Sequence, residues 1–342
     1  MNEIEARGSG HDIISVDVNE HLSAAARRRI RESVPASTRR AYAGDWNRFT
    51  LWCFEKQRSH LPATAATLAE YVSHLADEAK AASTIERAMA AITVAHASAD
   101  LPPPNTRAAR AVLRRHRAEL ADAGRGVRKA KAVSITALRA MVDTLDVATI
   151  AGVRDRALIV VGFALGARRS ELAALNIADL TFTGDGLQVT IRRSKTDKDS
   201  VGRSTALPYT SRPGTCPVRT MQAWLDALAA RGQTEGPVFR RIDRHGNLGR
   251  APHGRGDTSG RITGQAVAII VRRTALRAGL DAASAFTGHS LRRGFATETH
   301  RQGKNPLRIA RHGGWKDGSA TLAGYIEDAD QWEDNALTDV GL

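Results

Sequence analysis

Apolar residues recur at helical spacing through most of the first 120 positions. In 38–57, Tyr42, Trp46 and Phe49 fall on one side behind Ser37 as a cap. In 64–79 the same role falls to Leu68, Val72 and Leu75. In 83–99 it falls to Ile85, Met89, Ile92 and Val94, with Ser83 as the cap. These aromatic and aliphatic positions are expected to form a core. A short basic helix is expected within 19–33, and a fourth full helix over 106–121, after the stop at Leu101-Pro102-Pro103-Pro104-Asn105. Residues 1–18 lack any period and read as a mobile tail, so the first domain is expected over 19–123. The stretch 124–133 combines two glycines with Arg125, Arg128, Lys129 and Lys131 and reads as a basic linker.

The second domain is expected over 134–342. Helix 135–145 comes first, and 153–165 is apolar on every side, as a buried helix would be. The period then shortens from about 3.6 to 2. Leu180–Thr183, Leu187–Ile191 and Arg203–Pro208 read as three short strands, the first two joined across a Gly-Asp-Gly turn. Helices at 217–230 and 263–279 flank a Gly-, Arg- and His-rich loop at 240–262. The expected fold is mainly α with a small antiparallel β-sheet, in two domains.

Composition narrows the partner. The 342 residues carry a net charge of +14, and 42% are hydrophobic. Such a chain affords a core and favours a polyanion, nucleic acid before membrane. No apolar run nears the ~18 residues of a membrane span, and no signal peptide opens the chain. A cytoplasmic, nucleoid-associated protein is the expectation. Helix 106–121 concentrates Arg107, Arg110 and Arg114 among its cations, a face suited to tracking phosphates. Arg128, Lys129 and Lys131 in the linker could cross a phosphate backbone. Only Cys53 and Cys216 are present, too few for a disulfide framework or a cysteine-rich zinc site. Lys195-Thr196 lacks the glycines of a phosphate-binding loop. Neither metal nor cofactor is expected.

The chemistry concentrates in 284–325. His289 and Arg292 are three apart, hence neighbours on a helix, and an imidazole beside a guanidinium fork suits a bound phosphate. Standing alone, an H-x-x-R reads more readily as two surface side chains. Here it continues as His289-Ser290-Leu291-Arg292-Arg293-Gly294-Phe295-Ala296-Thr297. His312-Gly313-Gly314-Trp315 follows, and then Tyr325. Upstream, Gly166-Ala167-Arg168-Arg169-Ser170-Glu171-Leu172 forms a second motif. Together these resemble the tyrosine recombinase (phage integrase) family, and the Trp in the G-G-W slot resembles its Cre-like members. The interval from Trp315 to Tyr325 is one residue longer than the family's usual spacing, and Asp317-Gly318 can absorb it in a turn.

The resemblance implies an N-terminal helical core-binding domain and a C-terminal catalytic domain. It implies a site-specific recombinase that cuts and rejoins double-stranded DNA through a 3′-phosphotyrosyl intermediate, without ATP or metal. Tyr325 would be the nucleophile. Arg168, with Arg169 as the adjacent alternative, and Arg292 would hold the phosphate, while Glu171 would orient the site. Lys195, or else Lys198, would protonate the leaving oxygen. His289 would be general base or phosphate donor, and Trp315 would donate its indole N–H or buttress by packing. Gln265, Arg272 and Arg273 lie on the helix that enters the major groove in that fold, where Gln suits adenine and Arg guanine. The family's assembly is a homotetramer on two recombination sites, joined through the C-terminal tail. A DNA-binding protein without chemistry and a type IB topoisomerase are the rival readings.

Overall fold

The computed structural model describes residues 23–126, 130–194, 202–249, 258–330 and 337, apart from the side chains of Arg31 and 328–330. The expected tail 1–18, Arg128, Lys129, Lys195, Lys198 and residues 331–342 apart from Leu337 lie outside the described residues. The chain divides into two compact units, Met1–Arg128 and Lys129–Leu342.

The first unit contains α1 (Ala24–Ser33), α2 (Ala36–Glu55), α3 (Ala65–Asp77), α4 (Ala82–Ser98) and α5 (Arg107–Asp122). Ser37 and Ser83 do not cap. Helices α2 and α4 begin one residue before them, behind Pro35 and Ala81, neither of which offers a side-chain cap. Phe49, Leu68, Val72, Ile85 and Ile92 form the core, Trp46 packs against it, and Tyr42 is only half-buried. Val94, expected inside, is exposed, as is Phe54 beside the buried Cys53. Asp45 is buried in α2 because Arg48 and Arg87 both donate to it, tying α2 to α4. On α5, Ala109, Leu113 and His116 face inward, and Arg107, Arg110 and Arg114 face solvent.

The second unit opens with α6 (Ile135–Asp143), α7 (Ile150–Ala164) and the short α8 (Arg169–Ala174). Three strands follow, β1 (Leu180–Thr183), β2 (Gly186–Ile191) and β3 (Arg203–Pro208), in the antiparallel order β1-β2-β3. The register sets Leu180 against Val189, Leu187 against Leu207 and Ile191 against Arg203. Then come α9 (Pro217–Ala229), α10 (Gly264–Arg277), α11 (Gly288–Arg301), α12 (Pro306–Gly313) and α13 (Ala320–Asp330). As its composition requires, α7 is buried almost all round, and its core continues through Leu187, Val189, Trp224, Val267 and Leu291. A smaller cluster of Phe295, Ile309, Trp315 and Leu322 joins α11, α12 and α13.

The expected linker is shorter at its carboxyl end. Val133 is fully buried and its N–H bonds to the Ser290 carbonyl, so this residue is fixed to the second unit. Among the described residues no helix is long and apolar enough to cross a membrane.

Candidate active site

Three short segments converge to form the site. The first is the turn from α7 into α8. Arg168 occupies the cap position of α8, where its backbone N–H donates to Glu171 Oε2 at 3.0 Å and its Nη1 to Oε1 at 2.6 Å. A six-residue helix has little stability of its own, and these two bonds from Arg168 to the Glu171 carboxylate hold its first turn. Ser194, just after β2, donates to Glu171 Oε1 at 2.8 Å and accepts from Arg168 Nη1 at 2.6 Å. Arg203 Nη2 reaches Glu171 Oε2 at 3.2 Å. Burial raises the Glu171 pKa, but the Arg168 hydrogen bonds and the Arg203 charge outweigh it and hold the carboxyl below its usual value.

The second segment is the start of α11. Thr287 caps it, accepting from the His289 N–H and donating its own N–H to Ser290 Oγ. His289 and Arg292 are one turn apart yet meet different surroundings. His289 is exposed, whereas Arg292 is 2% exposed. A separation of three residues leaves about 60° between side chains, enough to put one at the rim and the other in the core. Arg292 Nη1 donates to the carbonyls of Gly166 and Gly313, and Nη2 is buried with no hydrogen-bond partner among the described residues. Burial, then the neighbouring Arg168 charge, pushes the Arg292 guanidinium down to about 9.

The third segment is the turn after α12. Gly314 ends that helix with φ +68°, the left-handed conformation that favours glycine. A Cβ on Gly313 would lie 1.9 Å from the Trp315 ring. The turn folds Trp315 back beneath Arg292, whose guanidinium lies 3.5 Å from the ring centroid. Tyr325, on α13, meets Trp315 edge-on at 6.3 Å, and Arg293 lies 5.5 Å from its ring. Tyr325 and Arg292 also interact electrostatically. The extra residue between Trp315 and Tyr325 therefore does not take the ring away from Arg292.

Arg168, Glu171, Arg292, Trp315 and Tyr325 are thus brought together, with His289 on the first turn of α11. Lys195 lies outside the described residues. Of the three positions on α10, Gln265 and Arg272 are exposed seven residues apart on one side. Arg273 is exposed as well and donates to the buried Asp155 at 2.9 Å. Gln265 accepts from Arg169 at 3.4 Å, which shows Arg169 directed toward α10 and not toward Glu171. Lys131 donates to the Asp281 carbonyl at 3.0 Å. Three residues were not foreseen: Ser194, Arg203 and Arg293. The alternation of β3 carries a signal for one of them, because Arg203 shares its face with Thr205 and Leu207, which point inward.

Three guanidiniums, Arg168, Arg203 and Arg292, act on one another with Glu171 as their carboxylate among the described residues. Such a cluster carries uncompensated positive charge and is suited to an anion with several oxygens.

The chain matches the model of the Phage integrase family over residues 134–331. It matches that of the Phage integrase, N-terminal SAM-like domain over 29–99. It is 35% identical to the integrase/recombinase xerD homolog of Selenomonas ruminantium, across 94% of this chain and 90% of that one. It is 24% identical to the recombinase cre of Escherichia phage P1, across 82% and 80%. In fold it is similar to a lambda integrase dimer bound to a COC′ core site, with a TM-score of 0.53 and 16% identity over 86% of this chain and 90% of that one.

Proposed function

The chain belongs to the phage integrase family, the tyrosine-type site-specific recombinases, and from that membership we propose that it exchanges DNA strands through a phosphotyrosyl ester on Tyr325. The Tyr325 oxygen attacks the scissile phosphorus and the P–O5′ bond breaks. The 3′-phosphate stays on the enzyme, and the 5′ oxygen leaves with a proton. A 5′ hydroxyl from another strand then attacks the ester and releases the tyrosine. One phosphoester replaces another at each step, so neither ATP nor metal is needed to conserve the bond.

A phenol has a reference pKa of about 10 and is a weak nucleophile until its proton is accepted or its anion stabilised. Arg293 beside the ring and Arg292 behind Trp315 supply positive charge there. Negative charge grows on the nonbridging oxygens as phosphorus is attacked. Arg168 and the Nη2 of Arg292, unpaired among the described residues, are the donors for it. His289 is the candidate to accept the phenolic proton or donate to the phosphate, and Lys195 is the candidate acid for the leaving oxygen. Trp315 seats Arg292 by stacking.

What carries this reading is one observation: a buried guanidinium with a donor unpaired among the described residues, stacked on an indole that meets a tyrosine ring in a T-shaped contact. The other tyrosines have other surroundings, Tyr71 in the first unit's core and Tyr209 exposed against Arg219. The exposed arginines of α5, and Gln265 with Arg272 on α10, would supply the phosphate and base contacts. A homotetramer on two sites, joined through the C-terminal tail, is the assembly this function calls for.

A nicked DNA site, whose cleaved strand loses the fragment needed for religation, tests the reading. The expected result is an adduct that survives denaturing detergent and disappears in Tyr325→Phe. A protein that binds its site but never forms an adduct would be a DNA-binding protein without this chemistry. Relaxation of supercoils on arbitrary sequence by a monomer would identify a topoisomerase instead.

A further inference from the structure

Arg203 opens β3 on the inward face of the sheet, and its side chain is only 14% exposed. Nη1 donates to the His312 carbonyl at 2.6 Å and to Thr205 Oγ1 at 3.2 Å. Nη2 donates to Glu171 Oε2 at 3.2 Å, and Nε is buried with no partner among the described residues. Gly314 passes so close that a Cβ there would lie 2.5 Å from Nε. Arg203 also lines a cleft of about 200 Å³ with Ser194, Gly314 and Trp315.

The carboxylate of Glu171 is divided between two guanidinium groups. Oε1 takes Arg168 Nη1, and Oε2 takes Arg203 Nη2. Facing Glu171 alone, Arg168 would close into a neutral ion pair with little charge left to offer. With Arg203 present, three guanidiniums face one carboxylate among the described residues, and these four groups keep two positive charges (three minus one). The second contact acts on the turn. Arg203 holds the carbonyl of His312 while Arg292 holds that of Gly313, so the last two carbonyls of α12 are bound to cations just before Trp315.

We propose that Arg203 is a positioning residue of the recombination reaction: it draws off half of the Glu171 charge, leaving Arg168 positive toward the scissile phosphate, and pins the turn that seats Trp315 under Arg292. This rests on the reading that the scissile phosphate lies between Arg168 and Arg292. Arg203 itself touches neither phosphate nor Tyr325 in this arrangement.

The test is single-turnover cleavage of a nicked site by the full chain at saturating concentration. The scissile linkage is either an ordinary phosphodiester or an uncharged methylphosphonate. Arg203→Ala is expected to slow phosphodiester cleavage about 100-fold. Its affinity for the site should stay within about threefold, because phosphate contacts elsewhere supply most of the binding. On the methylphosphonate the deficit should shrink to less than about tenfold, because less negative charge develops there. Arg203→Lys keeps the buried charge but cannot reach Glu171 and His312 together. It should show a smaller deficit with the same dependence on linkage, and it carries the test if the alanine variant does not fold. Equal deficits on both linkages would reduce Arg203 to a packing role and overturn the proposal, as would wild-type rates in Arg203→Ala. A wild-type protein that forms no adduct on the phosphodiester would refute the underlying reading of the site as well.

Discussion

The site is held by one carboxylate with four donors. Glu171 takes hydrogen bonds from the backbone and side chain of Arg168, from Ser194 and from Arg203. Its folded pKa is depressed, so its contribution to stability is complete above the unfolded carboxylate range and is lost as pH falls through the folded value. Thermal denaturation should therefore show Glu171→Gln melting below wild type at pH 7, with the gap narrowing in acid. A gap independent of pH would remove the charge argument. Arg292→Ala is expected to abolish adduct formation while leaving most site affinity, measured by gel shift beside a cleavage assay. Retained cleavage would strip Arg292 of its role. The motif side chains were legible because H-x-x-R and G-x-R-x-S-E-L constrain residue type at fixed spacing. Arg203 was not, because an arginine beginning a short strand is ordinarily solvated, and only its register with Thr205 and Leu207 says otherwise.

Helices with a clean apolar stripe were legible to within a few residues, as α3 and α10 illustrate. Helices α8 and α13 were not foreseen as elements. The first is six residues long and is held by a side-chain cap, and the second packs through few apolar positions, Leu322, Tyr325 and Ile326. Such elements depend on tertiary partners more than on their own periodicity. The turn after α12 is the most exacting. Gly313→Ala would drive a methyl into the Trp315 ring and should cost about 1–3 kcal/mol of stability in chemical denaturation, with cleavage falling alongside. Unchanged stability would mean that the turn is looser than described. On α5, Arg115 and Arg117 are engaged by Glu119 and Glu86, whereas Arg107, Arg110 and Arg114 make no ion pair among the described residues. Replacing those three with alanine should weaken DNA binding and lower the slope of log affinity against log salt by up to about 3. An unaltered slope would exclude this face from the phosphate contacts.

At the scale of the molecule, a net charge of +14 and a cationic cluster with one carboxylate point the same way. The first gives diffuse attraction to a polyanion, and the second is the place the proposed mechanism assigns to one phosphate. The family assigns the reaction class, and in the proposed mechanism arginines far apart in sequence grip the phosphate while Tyr325 on α13 attacks it. The most direct measurement is to trap the protein on a nicked site, digest both protein and DNA, and identify by mass spectrometry the residue bearing a nucleotide. The account predicts a single modified peptide, with the nucleotide's 3′-phosphate esterified to Tyr325. A nucleotide on any other residue, or attachment through a 5′-phosphate, would contradict it.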